Sequence, residues 1–253
     1  MKLLDELQYR VDFVFRLLTG FLSSYVFVKV WEVASTSSII VVSHAEAASI
    51  LSYVIMARSF ALLLDWQYQV AILNETGDIA RYLLYPANFQ MALYAQHLGR
   101  HVATVFTRVI PTLIFLLAVF GIPFTVRWDS LLFALFYFAI GGFVLTQAYL
   151  IVDMWSIWII NIFGPTYVMH GLVSLSSGSL IPLWLLPEPI RTICYWLPFR
   201  YMIDTPVNLI MGKVTVMESV QPLIGLTAWA AILCFTTTLM WKLAQRRLVV
   251  YGG

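Results

Sequence analysis

Charged residues inside or beside apolar segments are the residues of this sequence most able to carry chemistry. Arg58 stands within an apolar run, and Arg108 and Asp153 stand near the ends of two others. An arginine at the centre of a membrane span costs about 2.5 to 3.5 kcal/mol on insertion scales, so Arg58 needs water or an acidic partner. Arg58 therefore either contacts an anionic group on a transport path or serves the structure, by reaching the interface or pairing with Asp65 or Asp153.

His170 precedes a group of serines, a combination that could supply a base and a nucleophile. These serines are Ser174, Ser176, Ser177 and Ser179. The sequence contains neither a convincing GxSxG elbow nor a third orienting group, and serines in spans more often bond backbone carbonyls. A serine hydrolase is therefore a minor alternative, and no His or Cys spacing indicates a metal site.

The apolar segments that must position these residues are long enough to cross a bilayer. Hydrophobic residues make up 61% of the chain and charged residues 11%, which is typical of proteins embedded in lipid. Six segments approach the ~20 apolar residues that a span needs. They are residues 11–31, 47–64, 102–122, 131–152, 157–175 and 223–241. The sequence predicts an all-α polytopic membrane protein, with one domain over residues 1–253 and an amphipathic N-terminal helix.

The distribution of Lys and Arg predicts the orientation of these spans. With both termini in the cytoplasm, the inner segments hold more basic residues than the outer loops, as the positive-inside rule requires. The inner set is Lys2, Arg10, Arg81, Arg100, Lys242, Arg246 and Arg247, and the outer set is Arg127, Arg191, Arg200 and Lys213, with Lys29 near the outer boundary. The net charge of +2 is spread without a basic stripe, which argues against nucleic acid as a partner.

The inner segment 65–100 is too long to be a simple connector. Its centre combines acidic residues, a glycine that permits a tight bend, an arginine one turn later and a proline that stops a helix. These residues are Glu75, Gly77, Asp78, Arg81 and Pro86. The pattern predicts either a short rigid knob that meets a cytoplasmic partner or an ordinary interfacial helix.

The outer segment 178–212 is apolar, but its prolines forbid one continuous helix. Its marked residues are Gly178, Pro182, Pro187, Pro198 and Phe199. We therefore expect a re-entrant cap or a cap of short helices packed against protein. Such a cap could act as a gate or as a static plug.

In their order and spacing, these two segments resemble the membrane subunit of type-2 ABC exporters, in particular the short six-span bacterial permeases encoded beside a separate ATPase. The resemblance covers nearly the whole chain. It also includes residues 7–13 before the first span, residues 46–55 at the second span, and the outer series from Ser177 to Gly212.

The resemblance implies that the segment 75–86 is a coupling helix, seated in a groove of an ATP-binding subunit that holds ATP and Mg²⁺. It implies two copies of that ATPase and a second permease subunit, identical or related. The substrate path would be lined mainly by the second and fifth spans, and the outer cap would close its exit. The expected location is the bacterial inner (plasma) membrane.

The energy source can also be considered from the residues alone. The sequence contains no GxxxxGK[ST] phosphate loop, so we expect energy from a partner or from an ion gradient, with no catalysis and no cofactor in this chain. An aromatic content of 15% suits an amphipathic or lipophilic substrate such as a drug, a peptide or a lipid-linked molecule. The main alternative is an ion-coupled transporter or channel, in which Arg58 and Asp153 form a buried charge relay. A membrane scaffold is a further alternative.

Overall fold

The structure, a computed structural model, describes residues 2–36, 43–65, 69–77, 79, 89–121, 128–159 and 161–247. Every regular element in those ranges is helical, as the predicted all-α class requires. In chain order the α-helices are α1 (Lys2–Thr36), α2 (His44–Ala61), α3 (Gln69–Thr76), α4 (Phe89–Thr104), α5 (Ile110–Phe120), α6 (Trp128–Met154), α7 (Phe163–Ser176), α8 (Glu188–Trp196), α9 (Asp204–Ile210) and α10 (Val216–Gln245). The 3₁₀ segments are Leu62–Leu64, Trp155–Ile157, Leu183–Leu185 and Pro198–Met202.

Local sequence signals explain where several helices begin and end. At the start of α2, the Glu46 N–H donates to the Ser43 hydroxyl at 3.3 Å, and the Ser43 N–H donates to the Glu46 carboxylate at 2.8 Å. The same capping box starts α10, with Thr215 and Glu218 in the two roles. The run ending in α5 stops at Gly121, whose φ of +60° lies in the left-handed region.

A π-helical segment, Val105–Val109, joins α4 to α5. It ends just before Pro111, which stands in the first turn of α5. Proline has no N–H to donate, and its ring crowds the carbonyl four residues earlier, so a wider turn accommodates it without breaking the helix. The wider turn also shifts the register of Arg108 relative to α4.

Five described helical runs are long and apolar enough to cross a membrane. They are Phe13–Ser35, Glu46–Leu64, Phe89–Phe120, Ser130–Ile157 and Val216–Gln245. The third is longer than predicted, because its helix begins at Phe89 and not near residue 102. Residues 89–100 were expected to lie along the membrane surface, and they are instead continuous with the span.

The predicted fifth span, residues 157–175, is not confirmed as a crossing helix. The α-helix of the fourth span ends at Met154 and α7 begins only at Phe163. Its 14 residues rise about 21 Å, whereas the hydrocarbon layer is about 30 Å thick. The break follows from Asn161, whose side chain accepts from the Phe163 N–H at 3.0 Å, and from Pro165 in the first turn. Six crossings are therefore not established within the described ranges.

The helices α1 and α6 differ in how deeply they are buried. α1 is a single helix from Lys2 to Thr36, so no break separates the predicted amphipathic helix from the first span. Most of its apolar side chains from Val11 onwards, where the structure describes them, are exposed. α6 is central, since residues 144–150 are all buried, and α9, α10 and Pro198–Met202 pack around it. α6 contacts α3 on one side of the chain order and residues 198–210 on the other, and these are the two candidate functional regions.

Candidate functional site

Asp153, in the last turn of α6, anchors the helix that leads into the predicted coupling segment. Its carboxylate is 1% exposed. Oδ2 accepts from the N–H of Val70 at 2.8 Å, and Oδ1 accepts from the N–H of Ala71 at 3.1 Å. Both N–H groups belong to the first turn of α3, where they have no partner within the helix and where the helix dipole favours a negative charge. The start of α3 is thereby fixed to the end of α6.

α3 ends in the predicted bend. Gly77 has a φ of +76°, a left-handed conformation that glycine adopts without strain. The next described residue, Ile79, is buried, so the chain turns back towards the protein after Gly77. Glu75 lies in the last turn of α3. The other predicted coupling residues, Asp78, Arg81 and Pro86, lie outside the described residues.

The Pro-rich cap (residues 178–212) consists of short helices, and each predicted proline lies at the start of one. Pro182 precedes Leu183–Leu185, Pro187 precedes α8, and Pro198 opens Pro198–Met202. A proline costs least at such positions, because the N–H that it lacks would have no helical partner. Pro182, Pro198 and Phe199 are buried, whereas Pro187 is exposed.

Tyr53, near the middle of α2, connects the cap to the helix bundle. Its side chain is fully buried, and its hydroxyl lies 3.1 Å from the carbonyl oxygen of Gly178 and 3.0 Å from Oδ1 of Asp204. Nδ2 of Asn208 donates to the same carboxylate oxygen at 3.1 Å. Gly178 has a φ of +80°, and a Cβ there would overlap the Tyr53 hydroxyl. Glycine is therefore required by both conformation and space.

Burial controls the protonation of Asp204. The residue is 6% exposed, and the loss of water around its carboxylate raises its pKa to about 6. The hydrogen bonds from Tyr53 and Asn208 and the positive charges of Arg200 and Lys213 act in the opposite direction. Burial also lowers the pKa of Lys213, while Asp204 raises it. The cap thus holds a carboxyl group that titrates close to neutral pH.

Arg58 lies in the last turn of α2, six residues before the end of its span at Leu64. Its Nη2 lies 3.4 Å from the Ser23 hydroxyl, and its guanidinium is 5.3 Å from the centre of the Phe27 ring. Both neighbours belong to α1. In the described part of the chain, Arg58 forms no ion pair with Asp65 or Asp153, so the buried relay of Arg58 and Asp153 is not assembled there.

The arrangement of helical spans, α3 and the Pro-rich cap belongs to a chain that matches one known protein family. A family model described as ABC-2 family transporter protein matches residues 46–252, which cover α2 through α10. The chain belongs to the ABC-2 transporter family. No curated protein and no solved structure matches the chain.

An ABC-2 protein is typically a non-catalytic membrane subunit. The alternative of a serine hydrolase concerned His170 and the serines that follow it. Nδ1 of His170 lies 2.8 Å from the Tyr149 hydroxyl. The hydroxyls of Ser177 and Ser179 donate to the backbone carbonyl of Ser174, at 3.4 and 2.9 Å. These contacts satisfy the polar groups of a packed helix end and do not pair a serine with the imidazole.

Sequence reasoning missed the contacts that hold the two regions of this ABC-2 protein in place. Asp153 was singled out in the sequence, but its partner, the α3 backbone, carries no side-chain signal. Tyr53 lies 125 residues from Gly178 and 151 from Asp204, so no local spacing connects them. One sequence feature could have indicated this contact. Asp204 is a single acidic residue within an apolar segment, and a buried carboxyl group needs a hydrogen-bonding partner.

Proposed function

We propose that this chain is the permease subunit of an ATP-driven ABC exporter that moves an amphipathic or lipophilic substrate, such as a drug, a peptide or a lipid-linked molecule. Two copies of a separate ATPase, which bind ATP and Mg²⁺, supply the energy. A second permease subunit, identical or related, completes the path. The assembly lies in the bacterial inner (plasma) membrane, with both termini in the cytoplasm.

The observation that carries this proposal is the attachment of α3 to α6 through Asp153. A push on the segment after α3 would be transmitted to α6, because a buried carboxylate joins the two helices at 2.8 and 3.1 Å. Glu75, Gly77, Asp78, Arg81 and Pro86 then form the docking element for the ATPase. The hydrogen bonds of this attachment use backbone groups of α3, so they leave the side chains of the docking element available for the partner.

The middle of α6 contacts the Pro-rich cap. Gly141 on α6 lies so close to Tyr201 that an added Cβ would be 3.2 Å from its carbonyl oxygen. Tyr53 links the same cap to α2, as described above. A relative movement of α2 and α6 would therefore displace the cap, and Gly178, Pro182, Pro187, Pro198 and Phe199 would open or close the exit.

A cleft beneath the cap suits the proposed substrate class. It has a volume of about 750 Å³ and lies between α8, Pro198–Met202 and α10. Aromatic side chains and one cation, Arg200, contribute to its walls. Aromatic rings with a few polar groups are typical of sites for amphipathic molecules. The exposed apolar face of α7, which includes Tyr167 and Val168, would complete the path against the second permease.

The proposal can be tested by purifying the chain together with the ABC ATPase of an adjacent reading frame and reconstituting both in proteoliposomes. We expect transport only with ATP and Mg²⁺. Gly77→Pro and Asp78→Lys should abolish co-purification, because proline cannot adopt a φ of +76° and lysine reverses a charge of the docking element.

Glu188→Lys provides the matched control, since it reverses an exposed charge of the cap. It should leave ATPase binding unchanged. Thermal unfolding of each variant separates a lost docking surface from a lost fold. Normal ATPase binding by both docking variants, or uphill transport by the purified chain alone, would contradict the proposal.

A further inference from the structure

Two neighbouring cavities lie where α1, α2 and the α4–α5 run meet. The first, of about 180 Å³, is mostly polar, and its walls include Arg16, Asp65, His97, Arg100, His101 and Arg108. The second, of about 290 Å³, is mostly apolar, and its walls include Phe15, Leu17, Gly20, Leu62 and Thr112. Arg16, Leu62 and Arg108 line both. The two cavities therefore form one amphipathic site.

The polar cavity carries excess positive charge. Among the described residues that line it, three arginines stand beside one aspartate, which gives these side chains a formal charge of +2 with both histidines neutral. One ion pair, between Arg108 Nη1 and Asp65 Oδ2, spans 3.6 Å, and the Asp65 side chain is 63% exposed. Such a pair contributes little stability and can exchange partners at small cost. An incoming anion could therefore share the arginines with Asp65.

The π-helical turn brings Arg108 to this cavity. Val105–Val109 is the wide turn imposed by Pro111, and π-helical turns occur frequently at functional sites. The turn packs against Leu62–Leu64, so Arg108 lies between the end of α2 and the start of the first span. The wide turn before Pro111 thus places an arginine at this cavity.

The level of the site along the spans identifies the ligand class. The first span begins at Phe13, three residues before Arg16, and the second ends at Leu64, one residue before Asp65. The polar cavity therefore lies at the ends of two spans, where lipid headgroups are found. Phe15 is 65% exposed and extends the apolar cavity onto the surface that α1 offers to lipid.

We propose that this amphipathic site binds one anionic phospholipid, with its phosphate among Arg16, Arg100 and Arg108 and an acyl chain along Phe15 and Leu17. Arginine suits this role because its planar fork binds two phosphate oxygens at once. The inference requires only that the chain lies in a membrane. It does not depend on ATPase docking or on the transported substrate.

The experiment uses the full chain, purified in a zwitterionic detergent and titrated with phosphatidylglycerol, phosphatidylcholine or inorganic phosphate. Bound lipid is counted by native mass spectrometry, and thermal unfolding is measured in parallel. We expect one tightly bound phosphatidylglycerol, weaker binding of phosphatidylcholine and no stabilisation by inorganic phosphate. Equal binding of the two lipids would overturn the proposal. Equal stabilisation by inorganic phosphate would assign the site to a free anion and not to a lipid.

Variants of the site give the second readout. Arg100→Gln and Arg108→Gln should each weaken phosphatidylglycerol binding about fivefold, as expected for one basic residue near an anionic membrane surface. Asp65→Asn should tighten it, because the competing carboxylate charge is removed. Arg247→Gln removes an equal charge from an exposed position after α10 and should change binding less than about twofold. A similar loss in Arg247→Gln and both site variants, or no loss in Arg100→Gln, would refute the assignment.

Discussion

The Pro-rich cap and α3 are held in the helix bundle by different kinds of contact. The cap is held by side-chain identity: Tyr53, Asp204 and Asn208 form its hydrogen bonds, and Gly178 provides the space. α3 is held by the Asp153 carboxylate, which binds backbone N–H groups, and by the packing of Val70 in the hydrophobic core. The polar anchor itself places no demand on the side chains of α3. The cap is therefore constrained by its own side-chain contacts, whereas exposed positions of α3, such as Ile72, can vary to fit a partner.

Gly178→Ala should cause the largest loss of stability, because it disturbs the contact between the cap and Tyr53 of α2. A left-handed φ costs alanine about 1–3 kcal/mol, and overlap with the Tyr53 hydroxyl raises the total to about 4 kcal/mol. Thermal unfolding in detergent measures this loss. Gly171→Ala, in a helix with open space around the glycine, is the control and should stabilise by up to about 1 kcal/mol. Equal unfolding temperatures for both variants would disprove the close fit of the cap.

The second-largest effect should be the pH dependence of stability that Asp204 causes. Its folded pKa of about 6 lies above the ordinary value of 3.8, so between these values the folded state binds more protons than the unfolded state. Wild-type stability should therefore fall as pH rises from about 4 to 6 and remain lower above pH 6. Asp204→Asn removes this cost and keeps an oxygen that accepts from Tyr53.

The measurement is the difference in unfolding temperature between Asp204→Asn and the wild type from pH 4 to 8. The variant should gain about 2 kcal/mol at pH 7.5 and nothing near pH 4. Taking the difference cancels the titration of the other carboxyl groups. A variant that is less stable than the wild type at every pH would show that the ionised carboxylate is required.

Asp153→Ala should have a smaller effect on global stability, because it removes an anchor of one short helix. The loss of an N-terminal cap costs about 1–2 kcal/mol, and it should appear as faster hydrogen exchange at residues 70–76. Asp153→Asn retains one acceptor oxygen and should give an intermediate rate. Exchange that is unchanged at α3 in Asp153→Ala would indicate that other contacts hold this helix.

The smallest effect should come from Lys213→Met at the edge of the cap. The Lys213 ammonium lies 3.9 Å from the centre of the Trp184 ring, and Trp184 packs edge-on against Tyr53 at 4.6 Å. A cation–π contact of this kind contributes about 0.5–1 kcal/mol, and methionine keeps the apolar contact with the ring. Unfolding temperatures at low and high salt check this, since a loss above about 2 kcal/mol would mean that the attraction between Lys213 and Asp204 outweighs the contact with the ring.

The helices were largely predictable, because span length and capping are local properties. The S-x-x-E and T-x-x-E patterns at Ser43 and Thr215 begin two of the long helices, and apolar runs of about 20 residues mark the spans. The fifth span was wrongly extended, since its hydropathy continues across residues 157–162 while Asn161 and Pro165 restart the helix. The long third helix was missed for the opposite reason, because residues 89–101 are polar enough to resemble a surface segment.

The amino-acid sequence by itself determined that the chain is helical, that it enters a membrane and that prolines divide its cap, because each follows from residues that are neighbours along the chain. Only the tertiary structure decided that Tyr53 meets Gly178 and Asp204, that Asp153 binds the α3 backbone, and that three arginines share one cavity. Those contacts join residues far apart in sequence or use backbone groups common to every residue. Their partners are therefore set by how the helices pack.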